Sequence, residues 1–127
     1  RYAQKHNLEI AYISQRLFKR IKAIHLRNVT PNQWLGLFLH ADTIVTNSFH
    51  GSAFGVNFGK NLFIKYIPRS IVNSRLQTLV KDYGLERHLL NSDTFIEESK
   101  LNLDEVIQSL EEYRRLSYRY ISEYLLS

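Results

Sequence analysis

The sequence predicts an α/β fold, a doubly wound parallel sheet covered by helices on both faces. Three observations carry this expectation. Short apolar and β-branched runs of strand length alternate with longer stretches of helical periodicity. Sharp helix-start and helix-stop signals stand at the junctions. The 127 residues, 44% hydrophobic and 23% charged, have the size and composition of one globular domain with one core, spanning residues 1–127.

Leu8 to Ile13 is an apolar run short enough for a buried strand. Residues 14–22 are ambiguous, because Leu17, Phe18 and Ile21 suit a helical face that Lys and Arg crowd. Ala23 to Leu26 reads as a short strand. Thr30-Pro31-Asn32-Gln33 is a helix start: Thr as N-cap, Pro at the first helical position and Gln at the third complete a capping box. Trp34, Leu35, Phe38 and Leu39 form the expected buried stripe of that helix. Thr43 to Asn47 is a β-branched strand, followed directly by Ser48-Phe49-His50-Gly51 and a small-residue helix to about Phe58. Gly51, Gly55 and Gly59, four apart, suit close packing of this helix on a sheet. After the turn at Gly59-Lys60-Asn61, Leu62 to Tyr66 reads as a strand. Residues 73–83 read as a helix closing at Gly84. The last helix begins at the Asn102 to Glu105 capping box and runs to about Leu126, with Val106, Ile107, Leu110, Tyr113, Ile121, Tyr124 and Leu125 at helical spacing. Strand and helix alternating at these lengths define a three-layer, Rossmann-like domain with a parallel sheet and a long C-terminal helix.

Composition narrows the function. Without Cys there are no disulfides, thiolate ligands or cysteine nucleophiles, in keeping with a reducing compartment. The apolar runs are too short for a bilayer span or a secretory h-region, so the expected location is cytoplasmic. The Asn28-Val29-Thr30 triplet is therefore treated as chance. A chain that opens on Arg1 and has no Met is expected to be an excised or processed piece. The net charge of +5 is uneven: residues 1–30 hold seven basic residues against one acidic, whereas residues 91–127 hold four against eight. A basic body suits an anionic partner or is simply a solvated face. The basic residues follow no nucleic-acid module, so no nucleic-acid partner is expected.

In open parallel sheets, ligands bind beyond the carboxyl ends of strands, where a loop feeds a helix N-terminus. Thr46 to Gly51 occupies such a position. Its helix offers unpaired N–H groups and a partial positive charge to an anion. Gly51 and Ser52 leave that end sterically open. His50 is placed at the rim, where an imidazole can donate to an anion or move a proton near neutral pH; its structural alternative is to cap the turn. His25, His40 and His50 form no recognisable metal-ligand set.

The segment from Thr30-Pro31-Asn32-Gln33-Trp34-Leu35 through Ala41-Asp42-Thr43-Ile44-Val45-Thr46-Asn47-Ser48-Phe49-His50-Gly51-Ser52-Ala53-Phe54 resembles the polysaccharide pyruvyl transferase family. The family shows a Pro-led helix, an Ala-Asp step, an apolar strand and a Ser-Phe-His-Gly turn in this order. Gly59-Lys60-Asn61-Leu62-Phe63 resembles its turn into a strand, with Asn61 where a proline is usual. Asn73-Ser74-Arg75-Leu76, Gly84-Leu85-Glu86-Arg87 and Leu110 to Ser117 resemble later segments. The resemblance covers most of residues 30–126, residues 42–54 most specifically, and little of residues 1–29.

The resemblance implies the C-terminal half of a GT-B-like fold. It implies transfer of a pyruvyl group from phosphoenolpyruvate to a pair of sugar hydroxyls as a ketal, with release of phosphate and without a metal or other cofactor. The implied partners are phosphoenolpyruvate, a glycan acceptor and an N-terminal domain of the same protein; the chain alone is expected to be inactive. Such a donor needs cations and a helix N-terminus. A group titrating near neutrality must also handle protons. His50 is the candidate catalytic residue. Asn47, Ser48, Phe49, Gly51, Ser52, Lys65, Arg69 and Arg75 are the candidate substrate-binding residues, with Ser48 also readable as a plain N-cap and Arg75 as a surface ion-pair partner. Arg87 reads as a structural helix-end cation. Two other functions remain open on the same pattern. One is the donor half of a nucleotide-sugar glycosyltransferase, against which stands the absence of any carboxylate between Asp42 and Asp82. The other is a binding domain without catalysis.

Overall fold

The computed structural model describes residues 1–14, 22–71, 73–90 and 102–125. Its elements are α1 (Tyr2–Lys5), β1 (Ala11–Ile13), β2 (Ile24–Leu26), α2 (Pro31–His40), β3 (Thr43–Thr46), α3 (Phe49–Asn57), β4 (Asn61–Ile64), α4 (Asn73–Asp82), a 3-10 turn at Glu86–His88, and α5 (Leu103–Tyr124). The class is α/β with a long C-terminal helix. In place of one continuous sheet, the described strands form two parallel pairs, β1 with β2 and β3 with β4. Strands of three or four residues offer few ladder bonds, and each pairs across the connection that directly follows or precedes it. The chain divides into two units, Arg1–His40 and Ala41–Ser127.

In the first unit, β1 and β2 pair from Ala11 with Ile24 to Ile13 with Leu26. Tyr12 stacks on His25 across the pair, with ring centroids 4.6 Å apart and planes 8° from parallel. The strand begins at Ala11 rather than Leu8 because the Leu8 N–H is taken by the Ala3 carbonyl at the close of α1. Expectations for Leu17, Phe18 and Ile21 lie outside the described residues. The start of α2 is the capping box expected from Thr30 and Gln33. The Gln33 amide donates to Thr30 Oγ1 (3.3 Å), and the Thr30 amide donates to Gln33 Oε1 (3.0 Å). Its expected buried stripe is different: no α2 residue is fully buried, and Leu39 is 52% exposed. No described side chain of this unit is fully buried, so the stripe has no core to face. Trp34 and Phe38 instead cover each other, with centroids 3.9 Å apart.

The second unit holds the core. β3 and β4 pair from Thr43 with Asn61 to Thr46 with Ile64. A parallel bridge from Ile64 to Leu89, with the Leu90 amide donating to the Ile64 carbonyl, adds a third parallel position after α4. Ile44, Leu62 and Ile64 pack with Val56 of α3 and Leu76, Leu79 and Val80 of α4 among the buried side chains. α3 lies close on this sheet because Gly55 has no side chain; a Cβ there would stand 3.0 Å from Leu62 Cδ1. Gly59 does not continue that face. It lies past the end of α3 with φ +61°, the left-handed conformation that glycine adopts without strain. β4 ends at Ile64, two residues before the expected Tyr66. α5 starts at Asn102, whose side chain accepts the Glu105 amide. Of its expected apolar stripe, Val106 and Leu110 are buried, while Tyr113, Ile121, Tyr124 and Leu125 are exposed.

Candidate active site

The carboxyl end of β3 turns into α3 through Asn47 and Ser48, and three hydrogen-bonded contacts give that turn its shape. Thr46 Oγ1 accepts the Ser48 amide at 3.1 Å. Ser48, in extended backbone, caps α3 by accepting the Gly51 amide at 3.3 Å. The Ser48 carbonyl accepts both the amide (2.9 Å) and the hydroxyl (3.0 Å) of Ser52. Gly51 is buried at this point because any side chain there would run into Thr46.

These bonds sort the turn into groups already used and groups still open. The amides of Ser48, Gly51 and Ser52 have acceptors. The Ser52 side chain is fully buried and tied to Ser48, so it shapes the turn and offers an incoming molecule no open polar group. Among the described residues no acceptor meets the Phe49 and His50 amides, so two donors at the helix N-terminus are left for another partner. Asn47, Ser48 and His50 are exposed, and Phe49 is half-buried. The His50 ring meets the Phe49 ring edge-on, with centroids 5.6 Å apart.

Lys65 is brought to this turn by strand register. Thr46 lies opposite Ile64, and the Lys65 amide donates to the Thr46 carbonyl at 2.9 Å. Lys65 therefore stands beside Asn47 across about one strand spacing, roughly 4.8 Å. Arg69 lies on the following loop with φ +59°, a left-handed conformation that is rare and strained for a side chain of this kind. The loop is clamped by Asn73, which accepts the Ile67 amide (3.1 Å) and donates to the Ile67 carbonyl (2.7 Å). Arg75, in the first turns of α4, lines a cavity of about 400 Å³ between α3 and α4, where Phe49 also contributes. Among the described residues, Lys65, Arg69 and Arg75 have no hydrogen-bonding or ion-pairing side-chain partner. The structure thus groups Asn47 to Ser52 with Lys65 and pairs Phe49 with Arg75 in the cavity, while Arg69, on the loop after β4, touches neither group among the described residues. Thr46 and Asn73 are positioning residues that sequence reasoning missed. Thr46 reads as one more β-branched strand residue, and the span from Asn73 to Ile67 has no recognisable local pattern.

A second histidine near this sheet has a different character. His88 is buried against Phe63, and burial pushes its imidazole below the ordinary histidine range, opposed by a hydrogen bond to the Leu62 backbone. Among the described residues its Nδ1 has no hydrogen-bond partner. Tyr66, after Lys65, is pushed up by burial and by the nearby Glu86 carboxylate.

A parallel β–α–β unit whose carboxyl edge carries helix N–H groups without acceptors among the described residues, an exposed imidazole and a lysine has the features with which α/β domains bind anions. The particular kind follows from comparison with protein families. Residues 2–65, about half of the chain, match the model of the polysaccharide pyruvyl transferases, and the chain belongs to that family. The match takes in residues 2–29, where motif resemblance is slight, and ends at Lys65, before the segments at Asn73, Gly84 and Leu110. No curated protein and no solved structure matches the chain. No described helix is long and apolar enough to cross a membrane.

Proposed function

We propose that the chain supplies the donor side of a site that moves a pyruvyl group from phosphoenolpyruvate onto two hydroxyls of a glycan. The observation that carries this reading is the turn from Asn47 to Ser52: two open amides, an exposed His50 and a neighbouring Lys65 at the carboxyl edge of a parallel sheet, in a member of this family.

The chemistry assigns each group a task. The donor carries a phosphate and a carboxylate. The Phe49 and His50 amides, the Asn47 and Ser48 side chains, and Lys65 and Arg69, which have no partner among the described residues, are the groups to hold them, with Arg75 binding substrate from the adjoining cavity. Gly51 and Ser52 act by fixing the turn. In the reaction the enol methylene carbon gains a proton and the central carbon is attacked by one sugar hydroxyl. The second hydroxyl then displaces phosphate, breaking the bond between that carbon and the phosphate oxygen. Two hydroxyl protons are released: one balances the proton gained by the methyl group, and the other leaves with phosphate or solvent. His50 is the group to carry protons between these partners, since its exposed imidazole stands at the rim of the turn and can both donate and accept. The reaction as written calls on no cofactor.

In the same reading the chain is the C-terminal half of a GT-B-like protein, a single domain over residues 1–127, inactive without its N-terminal half and acting in the cytoplasm. The test is an assay of the full-length parent with phosphoenolpyruvate and a panel of glycans, following phosphate release and ketal formation. Pyruvylated glycan that disappears with His50→Ala supports the reading. Thermal stabilisation by nucleotide sugars but not by phosphoenolpyruvate would replace it with the glycosyltransferase alternative.

A further inference from the structure

We propose that the cavity between α3 and α4 binds pyranose rings of the glycan, as a specificity site beside the reacting turn; the link to catalysis rests on the transferase reading above. The cavity has about 400 Å³ of space, within the range of small-molecule sites. Its floor is apolar, with Val56 and Leu79 almost fully buried. Half-buried Phe49 and Tyr83 add aromatic rings to its wall, and exposed Arg75 and Asp82 of α4 line it too.

This mixture selects a ligand class. A pyranose has a C–H face that packs on apolar and aromatic surface, and an edge of hydroxyls that both donate and accept. Arg75 has five donors and, among the described residues, no protein partner. Asp82 lies near the Tyr113 hydroxyl and keeps lone pairs for a further donor. Asn57 spends one N–H on the Ala53 carbonyl, leaving its Oδ1 and a second N–H. A lipid chain would leave these polar heads unanswered. A polyanion would meet Asp82 and a polycation would meet Arg75. A neutral, polyhydroxylated ring answers both signs of charge through hydrogen bonds. Arg75 and Asp82 are separated by seven residues of helix, roughly 10 Å, enough for about two rings. Phe49 is shared between cavity and turn, so rings held here lie next to a sugar reacting at His50.

Two measurements on the full-length parent test the site. The first is amide NMR titration with disaccharides of glucose, galactose and mannose. Shifts at Ala53–Asn57 and Arg75–Tyr83 are expected with at least one of them, weakened about tenfold or more by Asn57→Ala with Asp82→Asn. Both side chains are exposed, so the fold should survive the exchange. Absence of shifts in these two segments, or binding undiminished in the double variant, overturns the proposal. The second is kinetics with phosphoenolpyruvate and acceptors of increasing length. The double variant should raise KM for the longer acceptors about tenfold, with kcat and the monosaccharide KM unchanged. An unchanged KM for long acceptors in an active enzyme overturns the site and leaves the transferase reading standing. No transfer by the wild type, with disaccharide shifts present, overturns the transferase reading and leaves the sugar site.

Discussion

Gly51→Ala probes the construction of the turn directly. A Cβ at residue 51 would lie 2.5 Å from Thr46 Oγ1, about 0.9 Å inside the distance at which ordinary contact begins. Thr46 cannot yield freely, because Oγ1 accepts the Ser48 amide. Rotating Thr46 breaks that bond, at a cost of about 1 kcal/mol. Moving α3 outward instead disturbs its close approach to Leu62 at Gly55, and overpacking of this kind costs about 1–3 kcal/mol. We expect Gly51→Ala to lose about 2–3 kcal/mol. Thr46→Ala alone should lose about 1 kcal/mol for the missing bond. It also removes the colliding oxygen, leaving Thr46 Cβ, at 3.3 Å, as the nearest obstacle. The double variant should therefore be about 1–2 kcal/mol more stable than the sum of the singles predicts. Urea unfolding of the four proteins, followed by circular dichroism, measures the cycle. Losses that add within about 0.5 kcal/mol would refute the reasoning, since residues out of contact behave that way.

Other expectations follow from exposure, backbone and burial. His50→Ala should abolish pyruvyl transfer in the parent while moving stability by less than about 0.5 kcal/mol, because the ring is exposed; a large loss of stability with turnover retained would make His50 structural. Arg69→Gly relieves a left-handed backbone at the price of unfolded-state freedom, so stability should hold or rise by up to about 1 kcal/mol. Its affinity for phosphoenolpyruvate should fall about tenfold, and thermal shift with the donor reads both effects; undiminished stabilisation by phosphoenolpyruvate would remove Arg69 from the site. His88 is held below its unfolded value of about 6.5. Between the two values the unfolded chain binds the proton and the fold resists it. The contribution is thus fully present above about pH 6.5 and is lost as pH falls through the lower folded value. Urea melts from pH 8 to 5 should show His88→Leu with a shallower decline than wild type over that window; parallel curves would place the acid sensitivity elsewhere.

How far the sequence reaches differs between elements. The start of α2 was legible because a capping box is closed within four residues, and both reciprocal bonds are present. The cap at Ser48 and the end of α4 near Gly84 were legible for the same reason. The buried stripe on α2 was not, since periodicity shows which face is apolar but not whether a core lies opposite it. The apolar face of α5 shows the same gap, with Val106 and Leu110 buried and the rest of the stripe exposed. The candidate site was legible as a cluster around His50, because six of its nine residues are contiguous.

From the amino-acid order alone came the α/β class, the caps, the Ser-Phe-His-Gly turn and the family, all carried by neighbours a few residues apart. Tertiary structure decided which groups of the turn stay open. Ser52 faces inward under the Ser48 carbonyl, while the Phe49 and His50 amides meet no acceptor among the described residues. It also decided that Lys65 stands beside Asn47, through strand register, and that Arg75 shares a cavity with Phe49. The reason is physical. Caps and turns are satisfied by hydrogen bonds within one short segment. Register and cavities depend on how segments far apart in the chain exclude water from one another.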